Sequence, residues 1–135
     1  MPYDVPALTF VDDAQRITDG ETLVAHVPAE LEGGWCALLN ILAEQLQFPS
    51  YFGYNVSALW DCLCDFHWTA RQKILIIHED LPPGIPAKGL RTYLRILVDA
   101  IAEWQSDPDA DHKLEVIFPP DCRTEIERLL QRDAD

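Results

Sequence analysis

The chain has 135 residues, 48 % of them apolar, with 10 basic and 23 acidic side chains and a formal net charge of −13. A single domain of this length buries roughly two thirds of its unfolded surface without staples, so four cysteines here predict reduced thiols rather than a disulfide scaffold. The charge repels phosphate backbones and anionic lipid, which excludes nucleic acid and membrane as direct partners; it attracts a basic macromolecule, although acidity that serves only solubility is the plainer reading.

In chain order, Ala7 to Val11 reads as a short strand, and Asp19-Gly20 is a turn signal that allows an N-terminal hairpin within residues 1–20. Leu23 to Val27 is an apolar strand ended by Pro28, and Gly33-Gly34 breaks the chain before a helix that starts at about Trp35. Trp35, Leu38, Leu39, Leu42 and Leu46 recur on one face of that helix, with Asn40, Glu44 and Gln47 outside it. It ends near Gln47, ahead of Pro49.

The window from Phe48 to Phe66, FPSYFGYNVSALWDCLCDF, is the most distinctive stretch. Asn55 can accept a free N–H at a helix start, and Val56 to Asp65 contains no Gly or Pro, so a helix is expected there. A period of 3.6 places Val56, Leu59, Leu63 and Phe66 inward, and Ser57, Asp61, Asp65 and the flank of Cys64 outward, with Trp60 between. Tyr51, Phe52 and Tyr54 crowd the preceding loop, more aromatic surface than a core normally takes from one loop. Together they predict a contact surface.

Lys73 to His78 (KILIIH) is an almost unbroken apolar run, as expected of a strand covered on both faces in a parallel sheet. The proline-rich segment from Leu81 to Pro86 is a loop. Leu90, Leu94, Leu97, Ile101 and Trp104 form a helical stripe opposed by Arg91, Arg95 and Asp99. Lys113 to Phe118 (KLEVIF) is a third strand stopped by Pro119-Pro120. Asp121 is placed to cap a last helix with Cys122, Ile126, Leu129 and Leu130 inside, before the charged tail QRDAD. Apolar strands joined by helices predict one α/β domain: a small three-stranded parallel sheet packed with helices, with an N-terminal extension and an added C-terminal helix.

Pro49, Tyr51, Gly53, Asn55 and the run Ala58-Leu59-Trp60-Asp61-Cys62-Leu63 resemble the loop and inhibitory helix of the barstar family, intracellular inhibitors of barnase-type ribonucleases. The resemblance implies the same three-stranded sheet, with the second helix and its loop presented to the partner. It also implies that Asp61 occupies a phosphate position in the cationic nuclease site, and places Asp99 near a further acidic contact. Ser57 stands where a second helix-face acid is expected, Phe52 replaces a tyrosine and Phe66 a tryptophan. The missing acid removes one charge-assisted bond and points to a ribonuclease other than barnase itself.

Each site residue also has a plainer role. By type alone, Asp61 is a solvated carboxylate, and the motif reverses those odds. One of the loop aromatics covers the core, Asn55 is first a cap, Trp60 supports as much as it contacts, and Asp99 is solvated or paired with Arg95. Cys62-x-Cys64 with His67 does not suit a metal, since residues two apart on a helix point to nearly opposite faces. His26 and His78 end strands as structural residues, and no enzyme signature can be placed. The expectation is therefore a cytoplasmic, stoichiometric inhibitor of a basic ribonuclease or ribonuclease toxin, an antidote or immunity protein, with no metal or cofactor; the alternative is a similar module recruited to a non-nuclease partner.

Overall fold

The computed structural model describes residues 8–11, 22–50, 52–53 and 55–131. Its elements are β1 (Thr9–Phe10), β2 (Thr22–Val27), α1 (Gly34–Gln45), α2 (Val56–Leu63), β3 (Lys73–His78), α3 (Ala87–Gln105), β4 (Lys113–Phe118) and α4 (Arg123–Gln131). All the strand pairings are parallel, in the order β1-β4-β3-β2. Parallel neighbours need a crossover, and the helices between β2 and β3 and between β3 and β4 supply it.

Strand alternation sorts the apolar residues onto two faces. Leu23, Ala25, Val27, Ile74, Ile76, Leu114, Val116 and Phe118 join the buried residues of the helices in the main core. Leu75, Ile77 and Ile117 form a smaller buried group on the opposite face, with Val24 against it. Burial on both faces is why β3 can be apolar almost without interruption.

The sheet has four strands rather than the expected three. Thr9 and Phe10 pair with Ile117 and Phe118, the Val11 N–H donates to the Phe118 carbonyl at 3.1 Å, and the Arg123 guanidinium lies 5.2 Å from the centre of the Phe10 ring. The extension thus closes one edge of β4 and is tied to the added helix α4. β1 and β2 lie at opposite edges, so these two strands form no hairpin with each other; the expected turn at Asp19-Gly20 falls outside the described residues. Asp121 does not cap α4 either. Pro119 and the Cys122 N–H, which donates to the Pro119 carbonyl at 3.0 Å, wind a 3-10 turn over Pro120–Cys122, and this turn carries Asp121.

α1 ends in a Schellman arrangement without glycine. Gln47 takes φ 59°, the Phe48 N–H donates to the Ala43 carbonyl at 2.9 Å, and the Trp68 indole N–H donates to the Leu46 carbonyl at 3.0 Å. Those bonds satisfy carbonyls that every helix end leaves open. Arg91, expected on an open face, likewise donates to the Leu129 carbonyl near the end of α4 at 3.1 Å.

His78 is 2 % exposed at the end of β3. Its Nδ1 lies 3.1 Å from the Ile117 carbonyl, which can only accept, so Nδ1 carries the proton and Nε2 accepts from the Tyr93 hydroxyl at 2.7 Å. The neutral ring is fully satisfied, and it stacks on Phe118 at 4.0 Å. Burial lowers its pKa from 6.5 to about 3, partly opposed by the Ile117 bond and reinforced by His26. Between those values the unfolded chain binds a proton that the native state refuses, so this group costs stability as the pH falls through the window. Relative to His78→Gln, the wild type should lose about 1.4 kcal/mol per pH unit between pH 6 and 4 in urea titrations. A difference that stays constant with pH would contradict this.

Candidate partner-binding site

The loop before α2 is fixed by Asn55. Its backbone is extended at φ −140° and its Oδ1 accepts the Ala58 N–H at 2.8 Å, while Nδ2 donates to the Gly53 carbonyl at 3.3 Å. The cap thus satisfies one of the open donors of the first turn and ties the loop to the helix. Asn55→Ala should cost about 1 kcal/mol of stability, read as a lower urea midpoint with unchanged m. An unchanged midpoint would show that the cap contributes nothing.

Leu59, Cys62 and Leu63 are the buried side of α2. Val56, expected inside, is 38 % exposed, because it occupies the first helical position, where the chain has only just reached the core. Ser57 and Asp61 are exposed, as the helical period requires. Phe52 departs from the expected contact role: it is 5 % exposed and its ring centre lies 4.9 Å from that of Phe48. It is a loop aromatic that covers the core. Tyr51 and Tyr54 lie outside the described residues.

α2 ends at Leu63, two residues earlier than the sequence suggests. The Leu63 carbonyl accepts the Trp104 indole N–H of α3 at 2.8 Å, and Phe66, at φ 53°, turns the chain away from the helical path. Asp65 therefore lies just past the helix. Its Oδ2 is 2.7 Å from His67 Nδ1 and its Oδ1 accepts the His67 backbone N–H at 3.3 Å. α2 is thus anchored at both ends by specific bonds.

The acidic residues converge around Cys64. Burial pushes its thiol up to about 11, and Glu103, Asp61 and Asp99 add to the shift. Glu103 was not singled out from the sequence; the signal was its position four residues after Asp99, which puts both on one face of α3. Cys62 is also raised to about 11, by burial and then by Asp65 and Asp61. At neutral pH both groups are thiols, which are poor nucleophiles and poor metal ligands. Among the described residues no three His, Cys, Asp or Glu side chains are grouped to hold a metal ion.

A groove of about 230 Å³ runs between α2 and α3, lined by Trp60, Thr92, Arg95, Ile96 and Asp99. Trp60 is half-buried with its ring packed against the core, so it both supports α2 and forms a wall. Asp99 is also half-buried. Burial raises its pKa, Arg95 opposes the rise and Glu103 adds to it. The structure thus sets Trp60 beside Asp99 in one groove and brings Asp61, Asp99 and Glu103 within electrostatic reach of Cys64.

The family model described as barstar (barnase inhibitor) matches residues 33–117, from the start of α1 through α2, β3 and α3 to all but the last residue of β4. Among curated proteins there is no match. The matched span is well over half of the 135 residues and contains the whole acidic face just described, and the chain belongs to the barstar family.

Proposed function

We propose that this protein is a stoichiometric inhibitor of a cognate ribonuclease, which it silences by placing residues 51–65 over the nuclease active site. The reading is carried by one observation: Asp61 is exposed on a helix held at both ends, in a field reinforced by Asp99 and Glu103. A nuclease site gathers cations to hold phosphate, so a rigid carboxylate can take a phosphate position while offering no bond to cleave. The protein acts by occupancy and not by turnover.

A net charge of −13 speeds encounter with a basic enzyme, particularly at low salt. All four cysteines are free, which suits a reducing compartment, and among the described residues no helix is long and apolar enough to cross a membrane. The corresponding biology is a cytoplasmic antidote or immunity protein that guards the cell making a ribonuclease toxin. Co-expression with a panel of ribonuclease toxins tests this. Survival with at least one toxin, lost on Asp61→Ala, is the expected outcome; no rescue, or rescue that ignores Asp61, would refute it.

A further inference from the structure

The face described above is not uniformly acidic. On α3, Lys88, Thr92, Arg95 and Asp99 follow one another at helical spacing, and the Thr92 hydroxyl donates to the Lys88 carbonyl at 3.1 Å. Arg95 is exposed, lines the groove against Trp60, and bears electrostatically on Asp99 four residues on. The other groove residues are Trp60, Thr92 and Ile96. Among the described residues the groove therefore carries one positive and one negative side chain and is close to neutral, within a chain of net charge −13.

We infer that Arg95 is a specificity-determining residue, which selects a ribonuclease presenting a neutral or acidic side chain to the Trp60 groove and disfavours one presenting a cation there. This rests on the inhibitor reading above, and it follows from where charges fall. The cationic part of an enzyme site meets Asp61 with Asp99 and Glu103 behind it. The adjoining enzyme surface meets Arg95. A basic side chain at that second position faces a guanidinium already placed beside Asp99, so it gains little from that carboxylate and is repelled by Arg95. Like charges placed opposite one another are a common way of rejecting the wrong partner.

The test uses barnase as the probe enzyme, with the full chain as wild type, Arg95→Ala, Arg95→Glu and Asp61→Asn. Each is checked for folding by circular dichroism, and inhibition of RNA hydrolysis is measured at low and high salt. Arg95→Glu should inhibit barnase about ten-fold more strongly than wild type at low salt, with Arg95→Ala between them and the gap narrowing as salt rises. Equal or weaker inhibition by Arg95→Glu overturns the assignment; if no form inhibits barnase, the same proteins are titrated against the ribonuclease neutralised in co-expression, where a gain of inhibition by Arg95→Glu over wild type overturns it. Asp61→Asn reports separately on the parent reading: if that variant inhibits as well as wild type while Arg95→Glu gains, the acidic helix is not the inhibitory element, yet Arg95 still discriminates.

Discussion

Asp61→Ala should weaken binding to the cognate ribonuclease by about 2 to 5 kcal/mol, the usual cost of truncating one partner of a buried, hydrogen-bonded charge pair at an interface. Asp61 is exposed in the free chain, and no hydrogen bond or ion pair is found for it among the described residues. Its removal should therefore change folding stability by no more than about 0.5 kcal/mol. The loss belongs to the complex, where truncation leaves enzyme cations buried without a counter-charge. Calorimetry on wild type and variant, with matched melting temperatures, separates the two effects. A folded variant with unchanged affinity would remove Asp61 from the mechanism.

Phe66→Ala should cost about 3 to 5 kcal/mol of folding stability, against a typical total of about 5 to 15 kcal/mol. The ring is 0 % exposed and sits 5.3 Å from Trp68, 6.3 Å from Trp104 and 6.1 Å from His112, centre to centre. Trp68 closes the end of α1 and Trp104 the end of α2, so the cavity left behind loosens both helix ends. The left-handed backbone at Phe66 offers a control, because glycine relieves that conformation but restores none of the packing. Phe66→Gly and Phe66→Ala should differ by less than about 1 kcal/mol, both far below wild type in urea denaturation. A loss under 1 kcal/mol for either would mean that the ring is not a keystone.

β3 and β4 were legible to the residue in KILIIH and KLEVIF, because an apolar hexamer between polar or proline boundaries has few alternatives. The stripes of α1 and α3 were equally plain, since 3.6-residue periodicity is a local property. β1 as a partner of β4 was not: a two-residue strand pairing more than a hundred residues away leaves no pattern in its own neighbourhood. The end of α2 was missed for a related reason. Phe66 holds a conformation usually signalled by glycine, and it does so because the aromatic cluster around it fixes the turn.

Within the candidate site, the outward positions of Ser57 and Asp61 and the cap at Asn55 followed from spacing alone. That Phe52 turns inward did not, since its burial comes from tertiary packing that includes Phe48 across the loop. The juxtaposition of Asp99 with Trp60 depends on how α3 crosses α2, a tertiary fact that neither helix encodes by itself. Glu103 and Arg95 acquire their meaning in the same way, from the carboxylates and the indole that packing sets beside them.

The most direct measurement is a titration of RNA hydrolysis by barnase-type ribonucleases with the purified chain, with and without a mononucleotide occupying the enzyme's active site. For the cognate enzyme, activity should fall linearly to zero at one equivalent of wild type, and the mononucleotide should compete with the inhibitor. A tight complex that still cleaves RNA, or binding indifferent to the mononucleotide, would contradict an acidic helix seated in the active site.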